Sequence, residues 1–529
     1  MRISTGQIYE ASAANYQRNY AKFIKTGEEV SSQVKLNTAS DDPIGAARVL
    51  QLAQQNAMLD QYSSNITAIN NNGANAETAL ESIRDALQRV RELVIQAGNG
   101  SYTDADRQST AAELKELQKQ VLGLMNTQDA NGLYLFSGSD GSQPPYSTNA
   151  DGSYTYHGNQ TGVGLAVGDG LVLAANTTGY EAFEQAVNTT RASTTLTSPA
   201  TDDGKVGLAG GTVSSTSAYN SGFLGGEPYT VSFVSGPKLL ITDRNGTDVT
   251  TDASTAGDFK FNTSTTQTIT FRGVDLNLNV NLSQAEAASA STAEAALLGR
   301  TYTLDATPPD IAVSRSPGNA STATITQSEV GTTVADRAAF NNTFPSGGAT
   351  LKFTTTGYEL YASPVTNGKP PIATGTGFGP SINAAGINFT VAGTPQDGDT
   401  FVVEANTHQT QNVLNTLSDF IAVLTTPADG NLVATQKLTN AVNSALGNLT
   451  SATEQVATAI SGIGARMVAA SAQGTTNDLL KGNNKLESDS YTQADPFESA
   501  SRLTLQKTML DASQQVFLQT SKLSLFSML

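Results

Sequence analysis

The side chains that most often carry catalysis or bind metals are scarce in this chain, which has two histidines and no cysteine among 529 residues. His157 lies in a strand-and-turn segment, and His408 lies where a β-like region returns to a helical pattern. Neither belongs to an H-E-x-x-H motif, the helical spacing that binds zinc in metalloproteases. Without cysteine there are no disulfides, thiolate metal sites or thiol nucleophiles. We expect both histidines to be structural or surface residues; a Ser–His–Asp site needs only one histidine and stays open, although the chain has no G-x-S-x-G elbow.

Two adjacent carboxylates, Asp41 and Asp42, precede Pro43 and could suggest a metal or an acid–base site. No histidine or further carboxylate cluster accompanies them, whereas Asp42 suits the N-cap of a helix and Pro43 suits its first position. The sequence also has no P-loop, and no G-x-G-x-x-G between a strand and a helix. We therefore assign no catalytic, cofactor-binding or metal-binding residues, and we expect a protein that is not an enzyme.

The charge balance excludes one large class of partners. Lys and Arg number 30 and Asp and Glu number 47, giving a net charge of −17 and a pI near 4.6. Nucleic acids require a basic face, so a nucleic-acid partner is not expected. There is no run of about 18 apolar residues and no apolar core of a secretory signal, so we expect neither membrane insertion nor a cleaved leader. Composition alone thus predicts a soluble cytosolic protein, unless export uses another kind of signal.

Helical hydrophobic spacing marks both ends of the chain. Steps of three and four residues from Leu59 to Ala97 meet only apolar, aromatic or glycine positions, which is typical of a coiled-coil-like seam. A shorter helix with Leu114, Leu117, Val121 and Leu124 on one face follows a turn at 99–101. A matching seam runs from Leu438 to Ile463, preceded by an amphipathic segment at 413–424. We expect about four helices from both chain ends to form a bundle.

The extreme termini carry two further amphipathic stripes. An unpaired apolar stripe must be buried or its helix remains poorly ordered. From pattern alone, both self-assembly and a simple terminal hairpin stay open, and we take the stripes as a candidate assembly interface. The candidate residues are Tyr9, Ala13, Tyr16, Tyr20, Phe23, Val30 and Val34 in the first helix and Leu505, Met509, Ala512, Val516, Leu523 and Phe526 in the last.

The middle of the chain alternates β-branched and polar residues in short runs. Runs at 229–233, 239–243 and 267–271 are followed by comparable runs at 349–353, 358–361 and 386–391. The phenylalanines that anchor the first and third run of each set, Phe233 with Phe271 and Phe353 with Phe389, have similar separations. The sequence therefore predicts an α+β multidomain fold: an elongated helical rod from both chain ends, with a central β-rich insertion of two similar β units.

Several motifs point to a known family. Residues 30–48, including Ser40-Asp41-Asp42-Pro43-Ile44-Gly45, resemble the N-terminal signature of the flagellin superfamily, in which glycine usually stands where this chain has Gln33. Segments 131–139, 156–183 and 522–529 resemble the hook–filament junction branch of that superfamily more than its filament flagellins. The resemblance covers about 1–185 and 410–529.

The resemblance implies a structural adaptor, assembled as a ring through its terminal helices, that joins the flagellar hook to the flagellin filament. Its implied partners are copies of itself, the hook-proximal junction protein, flagellin, and the flagellar export chaperone and export apparatus. The implied location is the extracellular flagellum, reached without a cleaved signal peptide. The alternatives are a filament flagellin and a secreted adhesin-type coiled-coil protein.

The patterns and the resemblance together suggest three parts. Residues 1–42 plus 490–529 would form the terminal assembly domain, and residues 43–185 plus 409–489 the helical rod with a small β region. Residues 190–408 would form the β-rich variable insertion.

Overall fold

The structure, a computed structural model, describes residues 5–261, 266–366 and 368–526, with side-chain surroundings given for these except at 5, 6, 211 and 522–526. The chain divides into two compact units, the first made of residues 1–72, 164–175 and 464–529 and the second of residues 73–163 and 176–463. Within the described ranges, no helix is long and apolar enough to cross a bilayer. The three-part division suggested by the sequence stays a prediction.

Long helices occupy both ends of the chain, and strands dominate the middle. The helices are α1 (Thr5–Ser32), α2 (Pro43–Ala97), α3 (Asp104–Met125), α4 (Thr216–Ala218), α5 (Leu224–Gly226), α6 (Ala290–Leu297), α7 (Val334–Thr343), α8 (Val413–Leu424), α9 (Leu432–Thr492) and α10 (Pro496–Phe526). The strands are β1 (Tyr146–Thr148), β2 (Tyr154–Tyr156), β3 (Gly164–Gly168), β4 (Leu171–Ala174), β5 (Ala192–Ser198), β6 (Val206–Val213), β7 (Tyr229–Val234), β8 (Lys238–Thr242), β9 (Gln267–Phe271), β10 (Val274–Val280), β11 (Thr301–Ala306), β12 (Asp310–Arg315), β13 (Thr324–Val330), β14 (Ala349–Phe353), β15 (Gly357–Ala362), β16 (Ala373–Thr376), β17 (Ser381–Ala384), β18 (Ile387–Ala392) and β19 (Thr400–Asn406). The predicted fold class, with helical ends around a β-rich middle, is confirmed.

In the first unit, α2 begins as the sequence predicts. The Asp42 side chain accepts hydrogen bonds from the backbone N–H groups of Ile44 (3.2 Å) and Gly45 (3.0 Å), which are free at the start of a helix. This confirms Asp42 as the N-cap of α2, and its carboxylate is used in these two hydrogen bonds. The β3–β4 hairpin is held from two helices, because the amide of Asn65 donates to Ala166 O (2.7 Å) and that of Asn477 to Val167 O (2.8 Å).

In the second unit, the predicted seams are confirmed as core. The seam positions of α2 from Ala76 to Ala97 are buried, as are those of α9 from Leu438 to Ile463 and the apolar residues of α8. Polar contacts join the helices into a bundle. The Gln118 amide of α3 donates to Leu414 O of α8 (2.9 Å), and Arg91 of α2 donates to Thr450 of α9 (3.2 Å). Thr103 and Asp106 form a capping box that starts α3.

Apart from the β1–β2 hairpin, the strands of the second unit form two separate β cores. The first combines a four-stranded sheet ordered β5-β11-β7-β8 with a three-stranded sheet ordered β6-β10-β9, and Phe233 and Phe271 lie in its centre. The second is an eight-stranded antiparallel sheet ordered β16-β15-β14-β19-β12-β13-β18-β17, which buries Phe353 and Phe389. The anchor phenylalanines thus divide between the two cores as predicted.

The two β cores resemble each other in one hairpin only. The first two predicted runs pair as β7–β8 in one core and as β14–β15 in the other. The third run differs: β9 pairs with β10 in a second sheet, whereas β18 lies between β13 and β17 of the same sheet as β14. Two β units are therefore present, and their sheet topologies differ.

Candidate assembly surface

The end of α1 and the start of α10, both in the first unit, are each marked by an identifiable residue. Asp495 caps α10, because its Oδ1 accepts from the backbone N–H groups of Phe497 (2.8 Å) and Glu498 (3.3 Å). The end of α1 is marked by Gln33, which adopts the left-handed backbone conformation (φ +59°) that favours glycine. The superfamily signature has its glycine at this position. Gln33 therefore occupies a glycine-type turn.

The segment after α1 closes against the end of α9. Lys35 N–H donates to Thr492 O (2.8 Å), and Ala494 N–H donates to Gln33 O (2.9 Å). These two bonds form an isolated antiparallel bridge between residues 33–35 and 492–494. The register of α1 relative to α10 is therefore fixed at the base of the hairpin.

The α1–α10 contact is centred on aromatic rings. Tyr9 and Tyr16 of α1 lie against Phe517 of α10, with ring centroids 5.5 and 6.0 Å apart. Half-buried residues of α10 recur at spacings of three and four, which makes one face of the helix. This face comprises Leu503, Gln506, Leu510, Ser513 and Phe517.

The base of the same contact is polar and incompletely satisfied. Glu29 and Ser499 are buried, and Glu29 Oε2 lies 3.6 Å from the Arg502 guanidinium. Within the described part of the chain, neither Glu29 Oε2 nor Gln506 Oε1 has a hydrogen-bond partner, although both atoms are buried. A buried polar atom without a partner costs about 1–3 kcal/mol, so these two atoms reduce the stability that the two-helix contact gains from its apolar residues.

The structure divides eleven of the thirteen predicted interface residues into two groups, half-buried and exposed. On α1 and just after it, Ala13, Tyr16, Phe23, Val30 and Val34 are half-buried, while Tyr9 and Tyr20 are exposed. On α10, Leu505, Met509, Ala512 and Val516 are exposed. Leu523 and Phe526 lie in the last turns of α10, where side chains are outside the described residues.

The four exposed apolar residues predicted on α10 form a continuous line along the helix. Leu505 is 56% exposed, Met509 50% and Val516 53%. Successive residues of an α-helix are rotated by about 100° around its axis. By this measure, the centre of the exposed apolar line and the centre of the face that contains Phe517 are about 100° apart around α10. The stripe predicted from sequence on α10 is thus not the face that packs against α1. We call Leu505, Met509, Ala512 and Val516 the outer stripe.

Sequence reasoning missed Ile24, which is 43% exposed on α1 close to exposed Tyr20. Both side chains line a surface groove of about 500 Å³, together with Lys25, Thr38 and Asp41. Tyr20 and Ile24 are four residues apart, so a second apolar stripe on α1 could have been predicted from the helical spacing.

An ion pair holds the loop that borders this groove. Lys25 of α1 forms a salt bridge with Asp41, and the Thr38 backbone N–H donates to Asp41 Oδ2 (2.9 Å). The Lys25 ammonium and the Thr38 hydrogen bonds lower the pKa of Asp41 to about 2. Asp41 therefore positions the loop between α1 and α2.

The histidines have ordinary polar neighbours. His157 Nε2 lies 2.6 Å from the Ser147 hydroxyl, and His408 Nε2 lies 3.3 Å from Asp310 Oδ2. Across the described ranges, no group of three or more His, Cys, Asp or Glu side chains is arranged to hold a metal ion.

Known proteins match the N-terminal part of this chain. Residues 3–140 match the family described as the bacterial flagellin N-terminal helical region. Flagellar hook-associated protein 3 of Salmonella typhimurium is 32% identical over 183 residues, which is 35% of this chain and 57% of that protein. Its Escherichia coli K12 counterpart is 33% identical over 147 residues, 28% of this chain and 46% of that protein. The matched stretch thus spans about half of these relatives, and the resemblance to the flagellin superfamily is confirmed.

A crystal structure of flagellar hook-associated protein 3 from Legionella pneumophila has a TM-score of 0.48 to this chain at 19% sequence identity. The alignment covers 83% of this chain and 97% of that one.

Proposed function

We propose that the chain is a non-enzymatic structural adaptor that joins the flagellar hook, through a neighbouring junction protein, to the flagellin filament. The observation that carries the proposal is the outer stripe, an uncovered apolar line on a terminal helix. The match of residues 3–140 to the flagellin helical region supports the flagellar context. The names of the two relatives, both flagellar hook-associated protein 3, favour a place beside the hook.

Burial of the outer stripe supplies a driving force for self-assembly. Fully burying a Leu, Met or Val side chain contributes about 1.5–3 kcal/mol, and a half-exposed one about half of that. Leu505, Met509 and Val516 together would then contribute on the order of 2–4 kcal/mol per subunit. Tyr20 and Ile24 extend the apolar surface on α1. A ring of copies in contact through the terminal helices would cover this surface in every subunit.

The proposal also implies an export route and a cellular location for the chain. Export by the flagellar secretion apparatus, with a dedicated chaperone and without a cleaved signal peptide, would deliver the chain to the tip of the hook. A chain that travels unfolded gains nothing from reactive thiols, which suits the absence of cysteine. Flagellin would then assemble on the distal side of the ring.

Deletion of the gene in the source bacterium tests the proposal. We expect bare hooks, with flagellin shed into the medium, and restoration of filaments by the full-length chain. Immunogold labelling of the complemented strain should mark the hook–filament boundary. Filaments of normal number and length in the deletion strain would overturn the proposal, and label on the cell body would favour a secreted adhesin.

A filament flagellin is the second candidate, because the matched family describes flagellins and several further relatives bear that name. The two candidates differ in polymerisation of the purified chain. A junction protein should stay as small oligomers when seeded with filament fragments, whereas a flagellin should extend those fragments. Labelling along the whole filament would decide for the flagellin.

A further inference from the structure

A large cleft lies in the second unit. Its volume is about 1,020 Å³, which is the size of sites that hold several sugar rings or a short peptide. Its walls come from the β1–β2 hairpin, from α8 and α9, and from the paired ends of β12 and β19. The last of these is a two-strand neck, residues 306–310 and 406–410, through which the chain enters and leaves the eight-stranded sheet.

The walls of the cleft are rich in amides, hydroxyls and tyrosine rings. Tyr154, Tyr156 and Tyr180 line it, with amide side chains from the segment before β5, the neck, the start of α8 and α9. These side chains are Asn188, Asn406, Gln411, Asn412, Asn415 and Asn448. Among the described lining residues none is Lys or Arg, so the cleft offers a phosphate or a carboxylate no permanently charged partner.

Four acidic side chains line the cleft, Asp151, Glu184, Asp310 and Asp419, and each has a partner in the protein. Asp151 accepts from the Ser153 hydroxyl (2.6 Å), and Asp310 lies 3.3 Å from His408. Glu184 accepts from the Tyr146 hydroxyl (2.9 Å), and Asp419 accepts from the Gln411 amide (2.8 Å). Burial raises the pKa of Glu184. A cationic ligand would have to compete with these internal bonds. The lining therefore favours a ligand that is neutral and forms many hydrogen bonds.

The cleft is held in one arrangement by bonds between its walls. Asn415 of α8 binds the β2 backbone at Tyr154 twice, accepting from N–H (2.7 Å) and donating to the carbonyl (3.1 Å). Across the neck, His408 lies 3.3 Å from Asp310. His408 also adopts a left-handed conformation (φ +53°), a strained backbone of the kind that collects at ligand sites. A preformed cleft loses little freedom when it binds.

From these features we infer that the cleft binds a neutral glycan, with tyrosine rings against the sugar faces and amide side chains on the hydroxyl groups. Planar amides pair with vicinal hydroxyls, and the apolar face of a hexose suits an aromatic ring. Nothing in this inference depends on the adaptor role, since free oligosaccharide can be offered to the isolated chain.

The test is binding of the purified full-length chain to neutral hexasaccharides of glucose, mannose and N-acetylglucosamine, measured by isothermal titration calorimetry. Hexagalacturonate and hexalysine serve as the anionic and cationic comparisons. We expect a dissociation constant below 1 mM for at least one neutral sugar and no binding of hexagalacturonate. Absence of binding to every neutral sugar, or binding of hexalysine alone, would overturn the inference.

Two substitutions locate the site. Tyr180→Ala removes a ring and should weaken binding about tenfold, in line with the loss of an aromatic contact at the centre of an interface. Tyr180→Phe keeps the ring and should change affinity less than threefold, which separates loss of the contact from loss of folding. Tyr361→Ala, on the distant β15, is the matched control and should leave affinity unchanged. Equal affinity in Tyr180→Ala and the control would place the sugar elsewhere and refute the inference.

Discussion

Replacement of Gln33 by glycine tests whether the side chain at this position strains the turn that ends α1. Gln33 has φ +59°, its side chain is exposed, and its carbonyl accepts from Ala494 N–H at 2.9 Å. A residue with a Cβ pays about 1–2 kcal/mol to adopt this conformation, whereas glycine adopts it freely. Glycine also gains about 0.5–1 kcal/mol of freedom in the unfolded chain, which opposes the first effect. The net expectation is stabilisation of the closed turn by about 0.5–1 kcal/mol.

Hydrogen exchange on the full-length chain measures this difference locally. Lys35 and Ala494 donate the two backbone bonds that close the turn, so their amides report its opening. A gain of 0.5–1 kcal/mol predicts about two- to fivefold slower exchange of these amides in Gln33→Gly. Core amides of α8 in the second unit should exchange at an unchanged rate.

Two control substitutions separate backbone strain from side-chain effects. Gln33→Ala keeps the Cβ and should leave exchange near the parent rate, and Gln33→Val should accelerate it because a β-branched residue tolerates a positive φ poorly. Faster exchange in Gln33→Gly than in Gln33→Ala would refute the reasoning, because it would show that the turn is not strained by its side chain.

Three further predictions concern the first unit. Asp42→Ala removes the cap of α2 and should destabilise that end of the helix by about 1 kcal/mol, seen as faster exchange of the Ile44 and Gly45 amides; equal exchange would contradict the capping role. Because the pKa of Asp41 is lowered to about 2 in the folded chain, its contribution is present above the unfolded value near 4 and is lost as the pH falls from 4 to 2. The same loosening of the 33–42 loop should appear at pH 7 in Asp41→Asn, and an unchanged loop would refute it. Tyr16→Asp should separate α1 from α10 and block assembly while leaving the melting of the helical bundle unchanged, so that normal swimming would count against the interface.

Much of the helical framework follows from spacing alone. Leu80, Leu87, Val94, Leu449 and Val456 were all placed on seams by steps of three and four, and all are buried. Long helices repeat the same signal over many turns, so chance matches are averaged out. The cap at Asp42 was predictable for a different reason, since the donor groups that it satisfies are next to it in sequence.

The sequence predicted less well which helices and strands pack against each other. The period of α10 marked Leu505 and Met509 as an apolar stripe but did not say that Phe517, on another face, is the residue that meets α1. In the β cores, alternation placed Ile269 and Phe389 on buried faces without specifying the neighbouring strand, because side-chain pattern fixes the face of a strand and not its partner. The difference in topology between the two cores was not predictable from the sequence for that reason.

The cleft gave no sequence signal. Its lining residues, such as Tyr154, Asp310, His408 and Asn448, are far apart along the chain and individually unremarkable. They meet because the neck and the β1–β2 hairpin border the same helices. A site of this kind can be found only after the fold is known.

The central claim is that the outer stripe of α10 joins neighbouring subunits, and Met509→Asp tests it most directly. The measurement is the fraction of hooks that bear filaments, counted by electron microscopy in a deletion strain that expresses the variant. Gln514→Asp introduces the same charge at an exposed position away from the outer stripe and is the matched control. We predict bare hooks with Met509→Asp and normal filaments with Gln514→Asp, with both variants exported in equal amounts. Normal filaments on hooks that carry Met509→Asp would contradict the account.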